Sequence, residues 1–112
     1  MNDFVRIGSA AEMPAAGEAQ EFQCGTKTIC VANMNGTLAA VDNFCPHRGG
    51  PLGQGIVEGE KIVCPWHGWE FDLATGRNPH TPNLSVESYE LKLEGDGVYA
   101  RPRQPKTIPD PV

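Results

Sequence analysis

Two segments, CPHRGGPL beginning at Cys45 and CPWHGWEFD beginning at Cys64, decide the fold of this chain of 112 residues. Each segment pairs a thiol with an imidazole: His47 follows Cys45 after one residue, and His67 follows Cys64 after two. Such close spacing lets both side chains of one tight loop converge on one point. Prolines stiffen both loops, and glycines let the backbone come close to a bulky group. The two segments therefore predict a metal centre with four protein ligands.

Two kinds of metal centre use two cysteines and two histidines. Structural zinc takes four tetrahedral nitrogen and sulfur ligands, but zinc motifs usually place both cysteines in one knuckle and both histidines in another. Here each loop contributes one of each. That arrangement favours a two-iron cluster in which both thiolates hold one iron and both imidazoles hold the other. Zinc remains the alternative at this point.

The double motif resembles the Rieske domain family, in particular the stand-alone Rieske ferredoxins of bacterial ring-hydroxylating oxygenase systems. The resemblance implies one 2Fe–2S cluster, with Cys45 and Cys64 on the buried iron and His47 and His67 on the outer iron. It also implies an all-β Rieske fold of three stacked antiparallel sheets. In that fold two hairpin loops hold the cluster at the tip of the smallest sheet, and a proline-bearing loop, expected at 76–82, covers it.

This chain departs from the Rieske proteins of respiratory and photosynthetic complexes, which carry an extra disulfide-forming cysteine in each loop. The matching positions are Gly50 and Trp66, so no disulfide can form there. Trp69 and Phe71 stand where those proteins place a Ser and a Tyr that donate hydrogen bonds to sulfur. Fewer such bonds stabilise the reduced cluster less, so we expect a midpoint potential near the bottom of the Rieske range, about −150 mV.

The remaining sequence reads as short antiparallel strands. Asn35-Gly36 is a strong hairpin signal between strands at 28–32 and 37–41. Further strands are expected at 61–64, 69–72, 86–93 and 98–101. In the third of these, alternation places Tyr89, Leu91 and Leu93 on one half-buried face. Ser9 to Glu12 forms a capping-box pattern that Pro14 ends within a turn.

Two units are expected along the chain. Residues 1–103 form the domain, and residues 104–112 form an extended proline-rich tail. Four prolines from Pro102 onward favour an extended and mostly disordered end, because proline cannot donate to a sheet ladder.

Composition and charge limit the partners. The chain has 13 Gly and 10 Pro, which favours turns over long helices, and a net charge of −5, which argues against nucleic acid. No signal peptide or apolar run of membrane-spanning length is visible, so we expect a cytoplasmic monomer without membrane contact. In the reducing cytosol the cysteines serve as ligands or as free thiols. Cys24 and Cys30 are then expected to be buried structural thiols, and His80 a loop residue beside the cluster.

These observations favour an electron-transfer protein without a catalytic site of its own. It would carry one electron at a time from a flavin reductase to a terminal oxygenase. The alternative is a small Rieske subunit or accessory of a reductase such as assimilatory nitrite reductase. A catalytic oxygenase needs a second iron site with two His and one carboxylate, and only His80 is left to supply it.

Overall fold

The computed structural model describes residues 4–46, 49–66, 68–80 and 85–103. These residues contain nine strands and two single-turn 3₁₀ helices, Ala10–Glu12 and Leu52–Gln54. The strands are β1 (Val5–Ser9), β2 (Ala19–Cys24), β3 (Lys27–Met34), β4 (Thr37–Asp42), β5 (Ile56–Glu58), β6 (Lys61–Val63), β7 (Glu70–Asp72), β8 (Ser88–Glu94) and β9 (Gly97–Pro102). The predicted all-β class is confirmed. No helix among the described residues is long and apolar enough to cross a membrane.

The strands form three antiparallel groups of three. A six-stranded sheet has the order β1-β9-β8-β4-β3-β2, and a separate sheet has the order β5-β6-β7. Within the large sheet, β8 and β4 are joined only through Ala40–Tyr89 and Val41–Ser88. The large sheet is therefore two three-stranded halves, and with the small sheet these halves make up the three expected groups.

Strand β3 separates two hydrophobic clusters. Its residues Ile29 and Val31 belong to a cluster shared with Tyr89 and Ala100 of β8 and β9. The alternate residues Cys30 and Ala32 belong to the other cluster, which includes residues of the small sheet. Because side chains alternate across a strand, the β2-β3-β4 half is covered on both faces. It is the middle of three layers.

The predicted hairpin between β3 and β4 is confirmed. Asn35 and Gly36 both have positive φ, 56° and 106°, as a two-residue turn of the favoured hand requires. The Asn33 side chain accepts a hydrogen bond from the Gly36 N–H at 2.6 Å. The capping-box pattern also holds, because Glu12 accepts from the Ser9 N–H at 2.8 Å.

Two details of the strand assignment differ from expectation. Leu93 is 66% exposed, although Tyr89 is buried and Leu91 half-buried as expected. Leu93 lies near the β8–β9 turn, where it lines an open groove instead of the core. Pro102 belongs to β9 and pairs with Tyr89, which is compatible with its missing N–H at a strand end. The tail at 104–112 lies outside the described residues, so the two-unit division stays a prediction.

Candidate metal centre

The loops that begin at Cys45 and Cys64 close with the same backbone hydrogen bonds. Cys45 donates its N–H to the carbonyl of Gly50 at 2.8 Å and accepts from the N–H of Gly49 at 2.6 Å. Cys64 donates to the carbonyl of Trp69 at 2.7 Å and accepts from the N–H of Gly68 at 3.0 Å. We call these segments loop 1 (45–50) and loop 2 (64–69). In each, the cysteine bonds to the fourth and fifth residues after it.

The fourth residue after each cysteine is a glycine in the left-handed region. Gly49 has a φ of 76° and Gly68 a φ of 74°. Side chains disfavour this conformation, so glycine is needed for both loops to turn back onto their cysteine. Both glycines appear in the sequence motifs, but the positive φ could be assigned only from the structure.

The two cysteines are buried and close to one another's loops. Cys45 is 2% and Cys64 3% exposed, neither forms a disulfide, and both belong to the same hydrophobic cluster. A methyl group added at Gly50 would lie 2.6 Å from Sγ of Cys64 and 3.1 Å from the indole of Trp66. Gly50 and Trp66, which replace the cysteines of the disulfide-bearing relatives, therefore face each other across the two loops.

The predicted ligands His47 and His67, and the neighbouring Arg48, lie outside the described residues. Within the parts of the chain that the structure describes, no group of three or more His, Cys, Asp or Glu side chains could hold a metal ion. The four-ligand set is therefore a prediction, of which the structure describes the two thiols.

The aromatic residues around the loops differ in exposure. Phe71 is fully buried, and half-buried Trp69 packs against the same hydrophobic cluster as the two cysteines. Trp66 is 55% exposed. Trp69 thus packs beside the two cysteines, whereas Trp66 reaches solvent.

The segment expected to cover the cluster is described only at 76–80. His80 is exposed there, and its Nε2 lies 3.9 Å from Oε1 of Glu70. The backbone N–H of His80 donates to Oδ1 of Asn78 at 2.7 Å. His80 is therefore a loop residue, as expected.

Cys24 and Cys30 lie on adjacent strands but face opposite ways. Cys24 belongs to the cluster with Tyr89, and Cys30 to the cluster with Cys45 and Cys64. Burial, with a smaller contribution from Glu21, raises the pKa of Cys30 to about 12. The expected buried thiols are confirmed, and a mutual redox pair does not fit this arrangement.

Asn43 is a residue of the site that the sequence analysis missed. It is fully buried two residues before Cys45. Its Nδ2 donates to Oε2 of Glu21 at 2.7 Å, and its Oδ1 accepts from the N–H of Gly53 at 2.8 Å. Its neighbour Asp42 is half-buried, and nothing in the local pattern separates a buried Asn there from an ordinary turn residue.

The family model described as Rieske [2Fe-2S] domain matches residues 3–90. The chain belongs to this family, and its cofactor is one Rieske-type 2Fe–2S cluster. Two buried cysteines outside any disulfide, in adjacent and equally closed loops, suit a cluster that takes two thiolates.

Among its relatives is the ferredoxin component of the 2,4-dinitrotoluene dioxygenase system of Burkholderia sp. (strain RASC). The two are 35% identical over 93 residues, which are 82% of this chain and 88% of that protein. Apoptosis-inducing factor 3 of Homo sapiens is 34% identical over 76% of this chain, but the match spans only 14% of its own length. The solved structure of the Sphingomonas yanoikuyae B1 ferredoxin is similar with a TM-score of 0.76 and 28% identity, over 92% of this chain and 100% of that one.

Proposed function

We propose that this protein is a one-electron carrier that accepts electrons from a flavin reductase and delivers them to a terminal oxygenase. The observation that carries the proposal is the pair of buried cysteines, outside any disulfide, in matched loops. The 35% identity to a dioxygenase ferredoxin component, over 88% of that protein's length, supports the same role.

The ligands we propose are Cys45 and Cys64 for one iron and His47 and His67 for the other. When bound, the cluster takes up and releases one electron. Cys45 and Cys64 are almost completely shielded from water, so their thiolates would sit in a medium of low polarity. The backbone closures of loops 1 and 2 would fix the main chain of both cysteine ligands.

The surface beside these cysteines is suited to a protein partner. Phe44 is 54% and Trp66 55% exposed, although each is within two residues of a buried cysteine. Exposed aromatic side chains are enriched at protein interfaces. The net charge of −5 favours a partner with a basic face, because opposite charges speed the encounter. Four reduced thiols are compatible with a cytoplasmic location.

The ligand set is tested by iron content. Cys45→Ser and Cys64→Ser are expected to abolish the two irons and the visible absorption, as are His47→Ala and His67→Ala. Cys24→Ser is the matched control, since Cys24 is also buried and free but lies in the other cluster. Unchanged iron in any of the four variants would remove that residue from the ligand set, and stoichiometric zinc in the wild type would overturn the proposal.

The carrier role is tested by electron transfer between separate proteins. The dithionite-reduced protein is mixed with an oxidised Rieske oxygenase of a ring-hydroxylating system, and the visible spectra of both are followed. We expect reoxidation that slows as salt is added, together with a midpoint potential of about −150 mV. A potential above about +100 mV would contradict the expectation that few hydrogen bonds to sulfur keep the midpoint potential low. Isolation only as a stoichiometric complex with a large reductase would favour the small-subunit role.

A further inference from the structure

We propose that Asn43 is a positioning residue for the cluster, acting through loop 1 and its ligand Cys45. This inference rests on the proposed assignment of Cys45 as a ligand. The observation behind it is a buried side-chain amide whose two ends bind different elements, Glu21 of β2 and Gly53 of the 3₁₀ turn.

The main chain of Asn43 ties the two ends of loop 1 together. Its carbonyl accepts from the N–H of Leu52 at 2.5 Å, and its own N–H donates to Thr28 of β3 at 3.3 Å. The next residue, Phe44, forms an antiparallel bridge with Pro51. The side chain adds the Gly53 contact one residue beyond Leu52, so the chain entering loop 1 is fixed to the chain leaving it.

Gly53 shows how closely this contact is packed. A methyl group at Gly53 would lie 2.8 Å from Oδ1 of Asn43 and 2.5 Å from Cγ of Glu21. Glycine therefore allows the amide N–H to approach the Asn43 oxygen. Two residues far apart along the chain, Glu21 and Gly53, fit around one asparagine.

Breaking the Asn43–Glu21 bond detaches residue 43 from β2 and leaves its side chain bonded only to the Gly53 N–H, which favours local opening of loop 1. Opening would expose the Cys45–iron bond to water and chelator. We expect cluster loss to become about tenfold faster, a factor equal to about 1.4 kcal/mol.

The test reverses the donor and acceptor of the Asn43–Glu21 bond. In Asn43→Asp the new carboxylate can still accept from Gly53 but faces the Glu21 carboxylate, so the bond to β2 is replaced by repulsion. Glu21→Gln keeps an acceptor for Asn43. In the double variant the Gln amide can donate to Asp, which restores the bond with its direction reversed. Gln23→Ala is the matched control, because Gln23 is an exposed residue two positions from Glu21 on β2 and its side chain donates to Oγ1 of Thr28 and not to Asn43.

The readouts are the rate at which an iron chelator bleaches the visible absorption of the purified holoprotein and the paramagnetic resonance spectrum of the reduced cluster. Asn43→Asp is expected to bleach about tenfold faster and to broaden the spectrum. The bleaching rates of the double variant, of Glu21→Gln alone and of Gln23→Ala should each stay within about twofold of the wild-type rate. Their paramagnetic resonance spectra should match that of the wild type. Wild-type behaviour of Asn43→Asp, or a double variant that behaves like Asn43→Asp, would overturn the proposal.

Two further variants keep the result interpretable. Should Asn43→Asp fail to fold, Glu21→Ala removes the acceptor from the solvent side of the same bond and should also speed bleaching; a wild-type rate there would overturn the proposal. Cys45→Ser separates the two levels of inference. If Cys45→Ser keeps its cluster, the ligand assignment is refuted. If Cys45→Ser loses its cluster while Asn43→Asp bleaches at the wild-type rate, only the positioning role is refuted.

Discussion

Loops 1 and 2 have the same backbone closure but stand on different supports. Loop 2 connects β6 to β7, so the ladder pairs Val63–Glu70 and Ile62–Phe71 continue directly beneath it. Loop 1 leaves β4 and reaches a 3₁₀ turn, and only the isolated Phe44–Pro51 bridge lies at its base. A main-chain ladder holds one thiol, and a side-chain network at Asn43 assists in holding the other.

This difference separates what the backbone supplies from what side chains must supply. The ladder hydrogen bonds between β6 and β7, at the base of loop 2, depend little on residue identity, because they join main-chain atoms. The base of loop 1 depends on Asn43 and on the absence of a side chain at Gly53. We therefore expect loop 1 to be the more sensitive to substitutions at its base, and loop 2 to be the more sensitive to substitutions around its cysteine sulfur.

The largest expected effect comes from Gly50→Ala, a substitution in loop 1 whose methyl group would contact Cys64, the proposed ligand in loop 2. The new methyl group would lie 2.6 Å from Sγ of Cys64, too close for any carbon–sulfur contact. Either Cys64 or the chain at 50 must move, at a cost of about 1–3 kcal/mol in a packed site. Iron content after purification is expected to fall below about half of the wild-type value.

The matched control for that variant is Gly49→Ala, the neighbouring position, where a methyl group would meet no described residue within 4 Å. It carries backbone strain without the sulfur contact. Equal iron contents in the two alanine variants would show that the Gly50 contact does not matter to Cys64.

The second effect concerns Cys30, which lies in the hydrophobic cluster shared by both loops. Burial raises its pKa to about 12 from the ordinary thiol value of 9.0. Its contribution to stability is therefore complete below pH 9 and is lost as pH rises towards 12, by up to about 1.4 kcal/mol per pH unit. The free energy of unfolding of Cys30→Ala should fall less steeply over that interval in urea titrations.

A residual slope is expected in that variant, since burial and Asp42 also raise the pKa of Tyr89 and burial raises that of Cys24. Cys24→Ala, in the other cluster, is the comparison. A slope unchanged by Cys30→Ala would mean that this thiol titrates as if exposed, against its full burial.

Much of this architecture could be predicted because its signals are local. The Asn35-Gly36 hairpin, the small-sheet strands β6 and β7 and the two cysteine loops follow from short patterns that the main chain obeys nearly alone. Strand β5 was not predicted although it pairs with the next strand along the chain, because three residues show too little alternation. Strand β1 was not predicted because its partner is the distant β9. Asn43 was missed for the same reason: its partners Glu21 and Gly53 are distant in sequence, and only the fold brings them together.

The third prediction sharpens the equivalence of the loops. Gly49→Ala and Gly68→Ala place a side chain at nearly equal positive φ angles, and no described residue lies within 4 Å of either new methyl group. Each should cost about 1 kcal/mol, the usual penalty for the left-handed region, and the two costs should agree within about 0.5 kcal/mol. Chemical unfolding of the holoprotein measures both. A difference above about 1 kcal/mol would show that the shared closure hides unequal strain.

The smallest expected effect tests whether a polar contact below loop 2 matters as Asn43 does below loop 1. Lys61 Nζ lies 3.5 Å from Oε1 of Glu70 across β6 and β7, and both side chains are partly exposed. Because solvent screens such a pair, Lys61→Met should change the free energy of unfolding by less than about 0.5 kcal/mol. Chelator bleaching should keep its wild-type rate, since the ladder beneath loop 2 needs no side chain. Bleaching as fast as in Asn43→Asp would instead show that both loops rest on side-chain contacts, and the contrast between them would fail.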